Sequence, residues 1–377
     1  MPKNDVELVK YLQKAIAEEA KGLPKMVFME VCGTHTMAIY KNALQQLLPN
    51  NIKLISGPGC PVCVTPMNYI DELVAIGKTG AIITTFGDML RVPGSRISLQ
   101  QAAAQGVDVR IVYSPLEALE IAEVYADKAV VFAGIGFETT APLVAVAIVK
   151  AKQKALKNFF VLTAHKTMPS ALTTLLRDNK TINGLLCPGH VAVVTGSDYF
   201  HFVSKELGLA AVIAGFEAHD IMQSILMLVK QCKAGITKLE NQYSRMVTAE
   251  GNTKAMSLMN EVFEPSDGLW RGLGNIKNGS LVIRAKFKAY DAKEKFTVLR
   301  DLFKKMRIAY VVKSLKDWQG LPIASFLGIC VHQNILLVPV WYLLKAVVRR
   351  IIVMGDNSSN FIYGKSQAIN KSNYIFI

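Results

Sequence analysis

Short, almost uninterrupted apolar runs recur along most of the chain, each closed by glycine, proline or a polar turn. MVFMEV (Met26 to Val31), IKLIS (Ile52 to Ser56), AIITTF (Ala81 to Phe86) and VRIVY (Val109 to Tyr113) come first. AVVFAG (Ala129 to Gly134), NFFVLTA (Asn158 to Ala164), INGLLC (Ile182 to Cys187) and LAAVIAG (Leu209 to Gly215) follow. Apolar runs without alternation, separated by helix-compatible stretches, predict parallel strands covered on both faces by helices. An amphipathic stretch from Val6 to Ala20 predicts an opening helix. The expected fold is α/β, with two similar parallel-sheet units of four strands each facing a shared cleft. Residues 1–115 are expected to form the first unit and 116–240 the second. Residues 241–305 are expected to be an extension packing on both, and 306–377 a poorly packed tail.

Nearly every polar motif falls just after one of those runs, at the carboxyl edge where open parallel sheets hold their ligands. Cys60-Pro61-Val62-Cys63 follows a Gly-Pro-Gly turn. Two thiols at this spacing can close a disulfide, share a metal or activate one another; with no second CxxC nearby, a redox pair is favoured. Cys32-Gly33-Thr34-His35 sets a thiol and an imidazole on a neighbouring turn, as iron ligands or as nucleophile and base. A helix start there would favour the anionic sulfur. Glu138, Thr139 and Thr140 occupy a turn that only loosely resembles a phosphate cradle, better suited to hydrogen bonding an amide or protonated group. His165, Cys187 and His190 complete the second edge as candidate cofactor contacts, against the ordinary alternative of satisfied core side chains. Asp88 and Arg91 form either an internal ion pair or a ligand clamp, and Cys232 reads as structural.

Composition narrows the classes. At 377 residues the chain can bury a large core. Six cysteines with no basic-then-apolar leader over Met1 to Ala20 point to a reducing cytoplasm rather than a disulfide scaffold. The net charge of +14 would ordinarily raise nucleic acid as a partner. Six of those fourteen charges lie beyond Met306, where eight Lys/Arg face two Asp/Glu, and the rest are scattered without a basic stripe. Nucleic acid is therefore not expected. Nor is a membrane: the apolar run from Ile335 ends at Leu344, short of the ~20 residues a span needs, and Lys345, Arg349 and Arg350 follow.

Taken together, EVCGTHT, GPGCPVC, TTFGDMLRVPGS, GFETTAP, CPGHV and AGFEAHD resemble the HypD family of hydrogenase maturation proteins, from the N-terminus to about Lys305. The resemblance implies a scaffold for assembling the Fe(CN)2CO group of [NiFe] hydrogenase with the partner HypC, with cyanide delivered by HypE. It implies that Cys32 holds the iron jointly with a HypC cysteine, with His35 beside it. Cys60 and Cys63 map onto a thiol-disulfide relay, and Glu138 and Thr139 onto the same cleft. Soft cyanide and carbon monoxide ligands suit a sulfur-anchored iron. Two rivals are a free-standing thiol-disulfide oxidoreductase and, more weakly, a nucleotide-binding enzyme, for which no P-loop is present.

The chain departs from the family pattern at its end. The resemblance implies a cysteine-rich C-terminal segment holding a [4Fe-4S] cluster that feeds electrons to the CxxC pair. Only Cys330 follows Cys232 here, too few for such a cluster. Codon degeneracy from Met306 onward permits a cysteine-rich, family-like reading in a shifted frame. A lost or gained base near Lys304-Lys305 is the expectation that follows.

Overall fold

A computed structural model describes residues 3–297. The expectations for the 306–377 tail, Cys330 and the apolar run Ile335 to Leu344 lie outside the described residues. All eight predicted runs form strands: β1 (Met26–Glu30), β2 (Ile52–Ser56), β3 (Ile82–Thr85), β4 (Val109–Ile111), β5 (Val130–Gly134), β6 (Phe159–Thr163), β7 (Gly184–Pro188) and β8 (Ala210–Ala214). Three more follow: β9 (Leu239–Asn241), β10 (Phe263–Trp270) and β11 (Gly274–Ile283).

The α/β class and its two parallel sheets stand, but the sheets do not follow the halves of the chain. The first runs β2-β1-β7-β8-β9 and the second β4-β3-β5-β6. The chain leaves the first sheet after β2, builds the second from β3 to β6, and returns for β7 to β9. A division at 115/116 therefore cuts the second sheet between β4 and β5, and the sheets hold five and four strands rather than four each. Strands buried on both faces look alike in sequence, so the apolar pattern marks where strands are and not which sheet they join.

This interleaving gives each sheet a point where the strand order reverses: between β1 and β7 in the first, and between β3 and β5 in the second. Crevices at the carboxyl ends of strands beside such points are where open α/β sheets take ligands. The CGTH turn leaves β1 and the GFETT turn leaves β5, so both sit at a switch point.

The core forms on the faces of both sheets. Phe132 and Phe159 of the second sheet are completely buried beneath the helices Pro115–Val124 and Ala141–Gln153. Each such side chain contributes ~1.5–3 kcal/mol by leaving water. The opening helix α1 (Lys3–Glu19) turns Val9, Leu12 and Ile16 onto Ile221, Ile225 and Leu228 of the helix Ala218–Ala234. The antiparallel pair β10–β11 belongs to neither sheet but enters both cores. Phe263, Leu281 and Ile283 pack with Phe132, while Trp270 and Ile276 pack with Cys187 and Phe137. Among the described residues no helix is long and apolar enough to cross a membrane.

Candidate functional site

At the end of β1 the chain turns into the helix α2 (Gly33–Lys41), with Cys32 as its extended N-cap. Glu30, 2% exposed, fixes that turn. One carboxyl oxygen accepts the Cys32 N–H at 3.0 Å and the other accepts the Thr36 hydroxyl. Burial raises the Glu30 pKa, against hydrogen bonds from Ser56, Thr36 and Cys32. The Cys32 thiol is also buried. Burial pushes its pKa up, the Thr34 and His35 amides pull the other way, and the Glu30 charge adds to the rise. The amides at the helix start do favour the anionic sulfur, as the sequence suggests, but burial outweighs them and the net direction is up.

His35 is fully buried on α2. Its Nε2 lies 3.2 Å from the Ala214 carbonyl and 3.0 Å from the Gly215 carbonyl, at the end of β8. Carbonyls only accept, so Nε2 carries the proton and donates. Nδ1 has no hydrogen-bond partner. The ring stacks on Phe216 at 4.7 Å, and His190 stacks on the same Phe216 at 3.7 Å. Burial lowers His35 to about 4, and burial also lowers the exposed His190.

Cys60 and Cys63 are joined in a disulfide across the short helix α3 (Pro61–Val64), with Cys63 exposed and Cys60 half-buried. The turn before it lies flat against the Cys32 turn. The Gly33 N–H donates to the Gly59 carbonyl at 3.3 Å. A Cβ on Gly59 would stand 2.2 Å from the Val31 carbonyl carbon and 2.3 Å from the Cys32 nitrogen. Glycine is therefore what lets the two thiol-bearing turns meet.

At the second sheet, Glu138 is fully buried. Its Oε1 accepts from the Met168 N–H at 2.8 Å and from the Tyr199 hydroxyl at 2.7 Å, while Oε2 has no partner. Burial raises its pKa against those bonds. Tyr199 follows β7 in the chain, so this contact ties the end of β5 to the first sheet's side; Phe137 does the same by packing with Val31, Val64 and Val191. Thr139 is exposed beside it. His165 is fully buried over Gly134, with Nδ1 2.8 Å from the Thr163 hydroxyl and Nε2 unpartnered. Burial, with Lys166 adding, lowers it to about 3. Asp88 and Arg91 are exposed on the turn after β3, and no ion pair joins them. Cys187 is a core side chain of β7, its pKa pushed steeply up by burial. Cys232 is half-buried on the helix Ala218–Ala234, near Asn183 at the amino end of β7 and away from these turns. The site residues thus fall into groups: Cys32, His35, His190, Cys60 and Cys63 at the first sheet, and Glu138, Thr139 and His165 at the second. Among the described residues no group of three or more His, Cys, Asp or Glu is placed to hold a metal.

Two functional candidates escape sequence reasoning. Glu30 closes an apolar strand and reads as its last residue. Lys166, 4% exposed, donates from Nζ to the Leu269 carbonyl and Ser280 Oγ at 2.9 Å each, strapping β10–β11 to the end of β6. Burial, with Lys293 adding, lowers it to about 8. A lysine between a buried histidine and a threonine at a strand end was the available signal.

The buried histidines set an acid limit. An imidazole held near 4 in the folded chain binds its proton more readily when unfolded, where its pKa is about 6.5. Stability is therefore full above 6.5 and falls as pH drops toward 4, by up to about 1.4 kcal/mol per unit for each such histidine. His165 continues the loss toward 3. Glu30 and Glu138, both raised, act with opposite sign above the carboxylate range. Urea midpoints at pH 6.5 and 4.5 should fall less in His165→Gln than in the parent; equal falls would refute the assignment.

The fold and site define a class: a two-sheet parallel α/β protein whose thiol-bearing turns meet beside a sheet switch point. The HypD family model, described as the hydrogenase formation hypA family, matches residues 7–314. The hydrogenase maturation factor HypD of Rhodobacter capsulatus is 45% identical over 273 residues, 72% of each chain. The factor of the same name from Azotobacter vinelandii is 43% identical over 303 residues, covering 78% of this chain and 80% of that one. That of Escherichia coli K12 is 42% identical over 299 residues, covering 78% and 80%. The chain belongs to the HypD family.

Proposed function

We propose that this chain is a scaffold on which the Fe(CN)2CO group of [NiFe] hydrogenase is assembled, with HypC as the protein that shares the iron and HypE as the cyanide donor. The iron is cargo. The observation that supports the reading is the backbone contact between the Gly59 and Cys32 turns, which brings the turn bearing Cys32 against the turn that leads into Cys60 and Cys63. Cys32 supplies one soft ligand and gives up its proton when iron binds. The remaining ligands come from the partner and the incoming diatomics, whose softness matches a thiolate-held iron. Met37 and Tyr40, 66% and 84% exposed on α2 directly after Cys32, offer an apolar face to that partner. The Cys60–Cys63 pair is a two-electron couple: an external dithiol that opens the disulfide is itself oxidised to a disulfide and gives two electrons and two protons to Cys60 and Cys63. Glu138, its carboxyl pKa raised by burial, lies in the second-sheet group.

Infrared bands of iron-bound cyanide and carbon monoxide in the HypC complex, isolated anaerobically, are the expected result. Their absence, with thiol-disulfide turnover intact, would favour the second reading, a free-standing oxidoreductase, which the exposed Cys63 of the disulfide supports. With Cys330 alone after Cys232, the chain is also expected to show no iron-sulfur absorption when purified anaerobically. Such absorption would contradict the proposed loss of the cluster segment; sequencing the gene across the codons for Phe303 to Arg307 tests the frame, and an unambiguous frame lacking the family-like cysteine codons would rule the shift out.

A further inference from the structure

Beside His35 runs a polar chain, anchored on the buried Asp220, that the assembly chemistry does not use. Asp220, 0% exposed at the start of the helix Ala218–Ala234, receives both Arg245 guanidinium nitrogens, at 2.8 and 2.5 Å, and the Glu217 N–H at 3.2 Å. Burial alone would raise this carboxyl; Arg245 and the Gln242 amide overcome it and hold it low. Gln242 follows β9, its backbone N–H bound to the Ile213 carbonyl at 3.0 Å. Its side-chain Nε2 donates to Asp220 Oδ1 at 2.8 Å, and its Oε1 accepts the Gly215 N–H at 3.0 Å. An ionised carboxylate on one side and an N–H on the other leave the Gln242 amide one orientation.

The Gly215 N–H and the Ala214 C=O belong to one planar trans peptide and point in opposite directions. Pinning the N–H with Gln242 therefore aims the Ala214 carbonyl at His35 Nε2, at 3.2 Å, and fixes the strand end whose Gly215 carbonyl is the nearer acceptor, at 3.0 Å. Gly215 has no space for a Cβ, which would stand 2.3 Å from Asp220 Oδ2, so the strand end sits directly on this network.

We propose that Gln242 is a positioning residue: held by Asp220 and Arg245, it orients the Ala214–Gly215 peptide so that His35 stays in the Nε2–H tautomer with a bare Nδ1. The imidazole three residues from Cys32 then offers only a lone pair at its free nitrogen, as ligand or hydrogen-bond acceptor. The second ring atom of a working histidine commonly sets what the first can do. The consequence for iron rests on the scaffold reading; the tautomer does not.

The test is long-range proton–nitrogen correlation on the metal-free full chain labelled with 15N-histidine, with His35 identified by the signal lost in His35→Gln. The parent should show one neutral tautomer protonated at Nε2. Gln242→Ala should replace it with a mixture, and should weaken iron retention in the HypC complex about ten-fold or more. A single Nε2–H tautomer persisting in folded Gln242→Ala overturns the proposal. So does a parent His35 protonated at Nδ1, a readout that needs no variant. If Gln242→Ala does not fold, Gln242→Met, of equal length without the amide, gives the same reading. Loss of iron in Cys32→Ala concerns the scaffold alone, so the two failures are separable.

Discussion

Replacing Cys32 by alanine is expected to abolish iron retention in the HypC complex while leaving the fold intact. The side chain contributes its sulfur and little else. The turn is held by the Cys32 backbone N–H on Glu30 and by an extended N-cap conformation, φ −149° and ψ 122°, that alanine adopts freely. Losing one small, mostly buried thiol costs about 1 kcal/mol. Iron, by contrast, would lose the proposed soft anchor on this chain, and among the described residues no group of three or more His, Cys, Asp or Glu is placed to replace it. Metal analysis of the co-purified complex alongside a thermal melt reads both effects. Iron retained at the parent level would remove Cys32 from its role.

The second large effect is expected at Gly59. A methyl group there meets backbone atoms of Val31 and Cys32 at 2.2 to 2.4 Å, and backbone cannot rotate aside as a side chain can. Gly59→Ala must push the two turns apart, breaking the Gly33 N–H to Gly59 carbonyl bond and costing about 1–3 kcal/mol or more. Iron retention and reduction of the Cys60–Cys63 disulfide should both suffer. Gly33→Ala is the matched control: nothing lies within 4 Å of its added Cβ, so stability should stay within about 0.5 kcal/mol. Equal behaviour of the two variants, read by melting temperature and iron content, would mean that the contact between the turns carries no weight.

Much of the architecture was legible because strands buried on both faces need unbroken apolar runs, and β1 to β8 all have them. The later strands were not. β10 alternates buried and exposed positions and contains Pro265 and Gly268, residues that weigh against a strand, while β9 spans only Leu239–Asn241. Sheet membership was illegible for a different reason: it depends on which strand ends β1 and β3 accept as second neighbours, a long-range choice that no local window contains.

At the site, the thiols and His35 stood out by residue type and spacing. Their protonation did not, since burial around Cys32 reverses what its place at a helix start implies. Gln242 and Arg245 carried no signal either. They become important only because β9 returns beside β8 and presents them to Asp220.

The central claim is that the Cys32 sulfur and the Cys60/Cys63 pair share one pocket at the carboxyl edge of the first sheet. Cys63→Ser frees Cys60 from its partner, and mild oxidation followed by peptide mapping then asks which thiol Cys60 finds. A Cys32–Cys60 disulfide is the predicted product. Cys32 and Cys60 both remaining as free, alkylatable thiols in the folded variant would contradict the account.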